Sequence, residues 1–432
     1  MKRVTIVGAG PAGLACAFAL ERAGVSVQMI EAETCLGGRV QSHRSGDWLV
    51  EKGPAAILDN NPATREIVKY LDLSSEVLTS DAAVKRRYLV RSGRLVAIPS
   101  SPLGLLTTSL LSARGKARLF GDLLQARGVR PDESVASFFR RHLGNEATEQ
   151  LVDPMQSGIF AGDIEQLSLL ACFPQLATLE ARHGSLLRGA IVDLGARRRP
   201  RLLSLRGGLH RIIVALAVAL KGPLNFGQRL TTLPETEGPL VLAIPAQHAA
   251  PLVRGKDPRL ADLLQATRMV PIATVCLGYA RSQVAHPLDG FGFLVPHTEP
   301  MPQGRILGTI FMSSLFPEGG YAPPGHVSLR VLLGGAHDLQ VEQLDDRTLV
   351  DRASGALRHL LHVTGEPVFV DVARWSHGID QYAVGHLERL AEIEARGKRL
   401  GLSFIGSSYR GHGLNDALAQ GWALGHLLAE RA

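Results

Sequence analysis

The sequence predicts a fold that combines α/β and α+β parts: a Rossmann-like domain interleaved with a mixed-sheet domain and a helical domain. Three observations predict it. The chain begins with an apolar strand, a glycine-rich loop and a helix, and it ends with a similar strand, loop and helix. Between them lie a long helical stretch and a series of strand-like apolar runs. With 432 residues, 45% of them hydrophobic, the chain is long enough for two or three domains.

The loop after the first predicted strand has the glycines of a dinucleotide site. Gly8 allows a tight turn, Gly10 leaves backbone room for a pyrophosphate, and Gly13 lets the helix pack closely on the strand. Pro11 and Ala12 open the helix, whose N-terminus attracts an anion. This arrangement predicts that the loop and the helix N-terminus together bind the phosphates of a dinucleotide.

Glu31 follows the second predicted strand, residues 25–30, at about the offset expected for a carboxylate that binds a ribose. These features alone fit NAD, NADP or FAD. Gly37, Gly38 and Arg39 favour FAD, because two glycines let a longer cofactor pass the backbone and a guanidinium can bind a phosphate. The sequence therefore predicts an FAD site.

The end of the chain supplies a matching half of this domain. Residues 402–406 predict a strand that ends at Gly406, and Asn415 and Asp416 predict the cap of a final helix. Gly413, Leu414 and Asn415 then lie at a helix N-terminus, whose free N–H groups can hold a flavin carbonyl or the pyrophosphate. We expect Gly406 to contact the cofactor as well, and both ends of the chain to close one cofactor domain.

The middle of the chain predicts strands, then helices, then strands. Residues 85–90 and 95–98 predict a β-hairpin, and the pattern from Pro102 to about Leu194 is helical. In that stretch a helix around Arg114, with an apolar stripe and a basic flank, either rests on an acidic bilayer or packs on its own domain. One mixed or antiparallel sheet, with a helix over 346–363, is expected from the runs 270–279, 291–295, 306–312, 327–333 and 368–375.

These elements divide the chain into alternating segments. The predicted segments are an FAD-binding part (1–84), two substrate-domain strands (85–99), a helical domain whose contact with a membrane surface is left open (100–199), a second FAD-binding part (200–262), the substrate-domain sheet (263–375) and a third FAD-binding part (376–432).

Composition excludes several classes of function. The four cysteines form no CxxC pair, so we expect a reducing compartment and neither a disulfide framework nor a metal site. Met1 and Lys2 lead almost directly into the first strand, which argues against a signal peptide, and no apolar run is long enough to span a membrane. The net charge of +7 favours an acidic lipid or an acidic substrate. With 5% aromatic residues, nucleic acid is a poor fit. We expect a cytoplasmic protein, with attachment to the inner face of the membrane left open.

Taken in order, the motifs resemble those of the oxygen-dependent protoporphyrinogen oxidase family, within the flavin amine oxidase superfamily. The resemblance covers nearly the full chain. The glycine loop, Glu31 and the Gly37–Gly38–Arg39 cluster are shared with amine oxidases and carotenoid desaturases. The more specific motifs are GIFAGD (158–163), GFGFLVP (290–296) and QYAVGH (381–386), accompanied by EKGP (51–54), RYL (87–89), SPLG (101–104), LS (167–168) and LRGG (205–208).

The resemblance implies an FAD enzyme of haem biosynthesis. Such an enzyme oxidises protoporphyrinogen IX to protoporphyrin IX in three two-electron hydride transfers to the flavin, and oxygen then reoxidises the flavin to give hydrogen peroxide. Gly53 and Pro54 match the family's flavin-binding loop. Coproporphyrinogen III, which has four propionates rather than two, stays open as the alternative substrate.

The resemblance also implies substrate-binding positions. Arg87 matches the arginine that binds a substrate carboxylate, and Phe291, Gly292 and Leu294 match positions that contact the macrocycle. Gly158 matches a glycine that keeps the backbone close to the substrate cavity. The plain alternatives are that Arg87 belongs to a solvated basic edge and that Gly158 serves a turn.

The chain departs from the family pattern after the Gly53–Pro54 pair. Family members often have a polar residue there, whereas this chain has Ala55 and Ala56. Because the cofactor and the ring nitrogens of the substrate can drive the oxidation, we predict no catalytic side chain and no essential general base.

Three other readings stay open. An amine oxidase needs an aromatic pair facing the flavin, for which Tyr409 and Trp375 are the candidates. A carotenoid desaturase needs an apolar tunnel without a carboxylate clamp. A flavin-bearing scaffold on a membrane surface needs no turnover. Beyond the porphyrinogen and oxygen, the partners left open are a second copy of the chain, a membrane surface and the next enzyme of the haem pathway.

Overall fold

The structure is a computed structural model, and it describes residues 3–84, 86–99, 102–124, 131–193 and 201–431. Met1, Lys2, Lys85, Ser101 and Leu194, which enter the predictions above, lie outside these residues. Within the described parts of the chain, no helix is both long enough and apolar enough to cross a membrane.

The strands are named in chain order. They are β1 (Val4–Val7), β2 (Val27–Ile30), β3 (Ser42–Ser45), β4 (Trp48–Glu51), β5 (Ile57–Leu58), β6 (Val77–Thr79), β7 (Arg86–Arg91), β8 (Arg94–Ala97), β9 (Leu202–Leu205), β10 (Leu224–Asn225), β11 (Leu240–Leu242), β12 (Arg268–Ala280), β13 (Gly290–Leu294), β14 (Gly308–Phe311), β15 (His326–Gly334), β16 (Phe369–Gln381) and β17 (Leu402–Phe404).

The helices are named in the same way. They are α1 (Pro11–Arg22), α2 (Pro62–Tyr70), α3 (Pro102–Thr107), α4 (Ala113–Phe120), α5 (Val135–Leu143), α6 (Asn145–Ala147), α7 (Asp153–Phe160), α8 (Leu169–Cys172), α9 (Pro174–His183), α10 (Leu186–Asp193), α11 (His210–Ala219), α12 (Ala246–Val253), α13 (Pro258–Gln265), α14 (Met312–Leu315), α15 (Asp346–Leu361), α16 (His386–Arg399) and α17 (Leu414–Ala429).

A parallel five-stranded sheet draws its strands from the beginning, the middle and the end of the chain. Its order is β10-β2-β1-β11-β17. In the centre, Ile6 of β1 pairs with Met29 of β2 on one side and with Val241 of β11 on the other. The central strands β2, β1 and β11 are largely apolar, as expected for a parallel sheet that is covered on both faces. Distant parts of the chain therefore form one Rossmann-like layer.

Helices α1 and α17, near the two ends of the chain, pack against each other on this sheet. A Cβ atom on Gly421 would lie 2.0 Å from the Ala12 carbonyl oxygen, and one on Gly425 would lie 2.7 Å from the Cys16 carbonyl oxygen. Only glycine allows so close an approach of two helices. The described start and end of the chain thus close the same domain.

A mixed seven-stranded sheet forms the second layer, in the order β16-β12-β15-β14-β13-β7-β8. Its neighbours are antiparallel except for β13 and β7, which are parallel. Residues 92 and 93 join β7 to β8, both with positive φ (51° and 71°), as a two-residue hairpin requires. Strand β16 continues to Gln381, beyond the predicted end at residue 375, and this extension brings it to the first sheet's domain.

The helical stretch is broken where the sequence predicts a continuous apolar stripe. Ser112 accepts a hydrogen bond from the Gly115 amide at 3.0 Å and caps α4, so α3 and α4 are separate helices. Leu111 and Leu119 are buried in a cluster with Ala147. This part of the stripe packs on its own domain, as one of the two readings predicts, while contact with a membrane stays a prediction.

The observed layers confirm the predicted fold class of a Rossmann-like domain interleaved with a mixed-sheet domain and a helical domain. The segment boundaries stay predictions.

Candidate active site

The first glycine loop has the geometry that its sequence predicts. The Gly8 amide donates to the Ile30 carbonyl at 2.8 Å, and a Cβ atom there would lie 2.6 Å from the Ala243 carbonyl oxygen. At Gly13 a Cβ atom would lie only 2.0 Å from the Gly8 carbonyl oxygen. Helix α1 begins at Pro11, directly after the loop, so the free backbone N–H groups of its first turn face the loop.

Glu31 lies at the end of β2, beside this loop. Its Oε2 atom accepts a hydrogen bond from the Ala9 amide at 2.6 Å, and its Oε1 atom accepts one from the Glu33 amide at 2.9 Å. Two backbone donors thus fix the carboxylate at the edge where a ribose would lie. The position agrees with a role in ribose binding, which stays a prediction.

The second glycine cluster docks against the first. The Gly37 amide donates to the Ala9 carbonyl at 2.9 Å. A Cβ atom on Gly38 would lie 3.9 Å from the Gly10 Cα atom, and a Cβ atom on Gly10 would meet nothing within 4 Å. The two glycine backbones therefore face each other beside open space, as a cofactor threaded between them needs.

Arg39 joins this region to the last segment of the chain. Its Nη2 atom lies 3.2 Å from Asp380 Oδ2 and donates to Ser407 Oγ at 2.6 Å. Its backbone is also tightly packed, because a Cβ atom on Gly53 would lie 1.7 Å from the Arg39 carbonyl oxygen. In this structure the guanidinium binds protein acceptors, and its predicted contact with a phosphate stays a prediction.

Asp380 was not predicted from the sequence. Its side chain is fully buried, and Ser407 and Ser408 donate to its two carboxylate oxygens at 2.7 and 2.5 Å. Burial alone raises the pKa of Asp380, but the Arg39 guanidinium and the serine hydroxyls outweigh burial and leave the pKa below its usual value. The group is therefore an ionised anchor for Arg39.

The loop after β4 connects the cofactor side to the second sheet. Trp375 Nε1 donates to the Lys52 carbonyl at 2.8 Å, and the buried Arg330 guanidinium donates to the Gly53 carbonyl. Burial lowers the pKa of Arg330. These donors hold Gly53, and with it Pro54, at the boundary between the two layers, where we predicted that both contact the flavin.

The C-terminal loop corrects one prediction. Gly413, not Asn415, is the N-cap of α17, and its amide donates to Asp416 Oδ2 at 3.0 Å. Asn415 is buried, and its amide group donates to the Leu58 carbonyl and to Asn60 Oδ1. The predicted cap at Asn415 is wrong because its side chain has these tertiary partners. Leu414 is then the first residue of the helix, where its free amide points out of the helix N-terminus.

Two further features of this loop bear on the cofactor. Gly406, predicted to contact the cofactor, follows β17 with a φ of 117°, which favours glycine, and its amide donates to Gln420 Oε1 at 3.1 Å. His412 stacks on Tyr382 with ring centroids 4.1 Å apart, and its buried Nε2 atom has no hydrogen-bond partner among the described residues. Burial lowers the pKa of His412 to about 4, so the ring is neutral at pH 7.

Four of the predicted substrate residues meet in two pairs, of which the first joins the adjacent strands β7 and β13. The Arg87 guanidinium lies 5.6 Å from the centre of the Phe291 ring, as in a cation–π contact. Among the described residues it has no carboxylate partner. In contrast, Arg86 forms an ion pair with Asp289 at 2.6 Å. The side chain of Arg87 is exposed and available to a substrate anion.

The second pair joins helix α7 to β13. A Cβ atom on Gly158 would lie 3.1 Å from Leu294 Cδ2, so the glycine lets the leucine lie against the helix. At Gly292 the φ is 148° and a Cβ atom would lie 1.9 Å from the Thr309 carbonyl oxygen, where the pairing of β13 with β7 shifts register. The backbone at position 292 therefore requires glycine, and contact of Gly292 with the substrate stays a prediction.

Phe291 belongs to an apolar cluster that also includes the loop after β4. Ala55, Ala56, Phe291 and Ile310 are half-buried in one cluster over the buried side chain of Met312. The loop that departs from the family pattern thus contacts the strand that carries the predicted substrate residues. Its alanines contribute methyl groups and no titratable atom.

Comparison with known proteins decides the family. The family described as flavin containing amine oxidoreductase matches residues 11–423. The chain belongs to this family. As a flavin amine oxidoreductase it is an FAD-dependent oxidoreductase, and the residues described above fit that cofactor: the open space at Gly10 and Gly38, the Glu31 carboxylate, and the helix N-termini at Pro11 and Leu414.

Relatives of this flavin amine oxidoreductase align along its whole length. Protoporphyrinogen oxidase of Bos taurus is 33% identical and covers 97% of both chains. Coproporphyrinogen III oxidase of Bacillus subtilis is 28% identical, over 98% of this chain and 97% of its own. Among solved structures, a protein from Exiguobacterium sp. 255-15, provisionally described as a protoporphyrinogen oxidase, has a TM-score of 0.88 at 24% identity and covers 100% of this chain and 99% of its own. This last match supports the fold alone.

The aromatic pair that an amine oxidase would need is not formed by the two candidates. Tyr409 is buried in the core beneath the first sheet, where it packs on Phe404. Trp375 lies on β16 and donates to the Lys52 carbonyl. Each aromatic side chain therefore has a packing role of its own.

Proposed function

We propose that this enzyme oxidises a porphyrinogen to the corresponding porphyrin with FAD and oxygen, and that protoporphyrinogen IX is its substrate. The names of the relatives over the full length support the porphyrinogen class. The observation that carries the proposal is the position of Arg87, an exposed cation without a carboxylate partner in the described chain, over the Phe291 ring. A porphyrinogen combines the two features that this pair recognises, an apolar ring system and carboxylates.

Arg87 is proposed to bind a propionate of the substrate. A guanidinium can bind a carboxylate through two hydrogen bonds, which fixes orientation as well as position. Phe291 below it lies against the substrate ring, so that the anion and the macrocycle are held by neighbouring strands. The side chain at 87 would thus set how the ring system enters the site.

The apolar groups are proposed to hold the macrocycle and to exclude water. Phe291, Ile310 and the Ala55–Ala56 loop supply one wall, and Leu294 over Gly158 supplies another. A closed apolar slot with few polar groups is the usual site for such a ligand. It also protects a hydride transfer from competing reactions with water.

The cofactor supplies the redox chemistry when it is bound, by accepting a hydride from the substrate and passing two electrons to oxygen. The porphyrinogen loses six electrons and six protons, so three molecules of oxygen become three of hydrogen peroxide. The protein's part is to bind, orient and shield the substrate. Ala55 and Ala56 offer no base, and protons can leave from the pyrrole nitrogens of the substrate.

Protoporphyrinogen IX is preferred over coproporphyrinogen III on charge. Arg86, one residue before Arg87, is already paired with Asp289. At this point of the described sheet only one of the two arginines is therefore available to a substrate carboxylate. A substrate with two propionates needs fewer cations than one with four. Coproporphyrinogen III stays the alternative substrate, because the Bacillus subtilis relative is named coproporphyrinogen III oxidase.

The test is anaerobic reduction of the bound flavin by each porphyrinogen. We expect protoporphyrinogen IX to bleach the flavin at least about ten times faster than coproporphyrinogen III at equal concentration. This ratio is on the order of the effect on binding when one or two substrate carboxylates find no partner in the site. Faster bleaching by coproporphyrinogen III would make that compound the proposed substrate and would leave the proposed reaction unchanged. Failure of both to bleach the flavin would overturn the proposal.

A further inference from the structure

We propose that Asp153, His297 and His337 form a binding site for a divalent transition metal of the zinc class. One ligand atom from each residue lies within 4.8 Å of the others. The three residues come from the start of α7, the loop after β13 and the turn after β15. This site does not depend on the proposed function, and it replaces the expectation from cysteine spacing that the chain has no metal site.

The three side chains are already arranged as a cluster. His297 Nδ1 lies 2.6 Å from Asp153 Oδ2. The rings of His297 and His337 stack with centroids 4.8 Å apart and planes at 15°. Bonds of about 2.0–2.1 Å to a tetrahedral zinc ion place its ligand atoms about 3.3 Å apart. Small side-chain rotations therefore suffice to bring all three ligand atoms around one ion.

The types of ligand select the class of metal. Two imidazoles and one carboxylate suit zinc, cobalt, nickel or ferrous iron, whereas magnesium and calcium prefer oxygen ligands. The Asp153 carboxylate is buried, and His337 lies on the surface. A fourth position toward solvent is then open to water, as in zinc sites with three protein ligands.

Neighbouring groups hold the ligands in place. Arg305 donates from Nη2 to the His297 carbonyl at 2.8 Å and from Nη1 to the His337 carbonyl at 3.3 Å, so one guanidinium joins both histidine backbones. Gln156 Nε2 lies 3.4 Å from Asp153 Oδ1 and donates to the Gly162 carbonyl at 2.7 Å. The contact of Gln156 with Asp153 Oδ1 is an outer hydrogen bond of the kind that orients a metal ligand, and the Arg305 bonds fix the backbones that carry the two histidines.

The turn that carries His337 is fixed against the end of α7. The Ala336 amide donates to the Ala161 carbonyl at 2.7 Å, and a Cβ atom on Gly335 would lie 2.5 Å from the same oxygen. A metal here would fasten helix α7 to the seven-stranded sheet. Because α7 also carries Gly158, the ion would hold the wall that contains the Gly158–Leu294 pair.

The experiment measures metal binding without porphyrinogen. Tag-free, FAD-loaded protein is stripped with EDTA and titrated with Zn²⁺ and with Co²⁺, whose visible bands report nitrogen ligation. Wild type is compared with His337→Gln, with Asp153→Asn and with the control His359→Gln, which changes an exposed histidine of α15 outside the cluster. A variant counts as folded if its FAD content and its unfolding temperature without metal equal those of wild type.

We expect one equivalent of Zn²⁺ in wild type and in His359→Gln, and a rise in the unfolding temperature on binding. In His337→Gln the affinity for Zn²⁺ should fall at least tenfold, which is the order of magnitude of the loss when a metal ligand or a group that orients it is removed. No binding to wild type, or equal binding to His337→Gln, would overturn the proposal. Flavin reduction is not part of this test, so its result is separate from that of the proposed function.

Discussion

Arg39 and Asp380 lie 341 residues apart in the sequence, and their side chains meet at 3.2 Å. The pair joins the second glycine cluster to the end of β16. Asp380 is fully buried, while the Arg39 side chain is 29% exposed. The ion pair therefore connects the cofactor side of the first sheet to the long strand of the second sheet.

Asp380→Asn should destabilise the folded protein by about 3 kcal/mol at pH 7, because Arg39 then loses its buried partner. The folded pKa of Asp380 is below its usual value, so the stabilisation is present above that usual value and is lost as the pH falls through the folded pKa. The difference between wild type and variant should shrink below about pH 4. Urea unfolding at several pH values measures it.

The control for this variant is Asp346→Asn. Asp346 pairs with Arg374, but its side chain is 69% exposed. This change should alter the stability by no more than about 1 kcal/mol. An Asp380→Asn variant as stable as Asp346→Asn would contradict an anchoring role for the buried pair.

Gly10→Ala should give a folded protein that does not retain FAD. A Cβ atom at Gly10 meets no protein atom within 4 Å, so the fold can accommodate it. The same atom would occupy the space that is predicted for the pyrophosphate. Gly255→Ala is the matched control, because its Cβ atom also has open space, far from the glycine loops in sequence. Unfolding temperature and flavin content measure the two effects. Normal FAD content in Gly10→Ala would argue against a phosphate at this loop.

Arg87→Ala should raise the KM for the porphyrinogen by about 10- to 100-fold, as the loss of a hydrogen bond to a charged group predicts. FAD content should not change. Arg86→Ala removes a neighbouring cation that is already paired with Asp289, so its KM should change much less. Steady-state oxidation of protoporphyrinogen IX measures both variants. Equal effects of the two changes would show that the strand acts only through its general positive charge.

His412→Phe should remove part of the acid sensitivity of the apoprotein. Burial lowers the folded pKa of His412 to about 4, below its ordinary value near 6.5. As the pH falls from 6.5 toward 4, the unfolded chain takes up the proton first, and wild type loses about 2–3 kcal/mol of stability. Phenylalanine can stack on Tyr382 without this titration. Unfolding of both proteins at pH 7 and pH 4.5 checks the prediction, and equal losses would contradict it.

The glycine motifs could be predicted because their physics is local. Gly8, Gly10 and Gly13 lie within six residues, and a strand, a turn and a helix that share this spacing have few alternative arrangements. The β-hairpin around Gly93 and the long strands of the second sheet follow in the same way from turn residues and apolar runs. These elements fixed the fold class without knowledge of distant contacts.

Distant contacts explain what the sequence could not predict. Nothing near Asp380 shows that it will bind Arg39, because the two are brought together only by the assembled sheets. Asn415 has the local preference of an N-cap residue, but its amide binds Leu58 and Asn60 instead. Likewise, Asp153 and His297 lie 144 residues apart, so no spacing of ligands along the sequence marks their cluster.

The most direct test of the account is a stopped-flow measurement of flavin reduction without oxygen. The enzyme is mixed either with protoporphyrinogen IX or with a primary amine such as putrescine, and the flavin absorbance is followed. The account predicts rapid bleaching by the porphyrinogen and none by the amine. Bleaching by the amine, with an unchanged flavin spectrum after addition of the porphyrinogen, would contradict it.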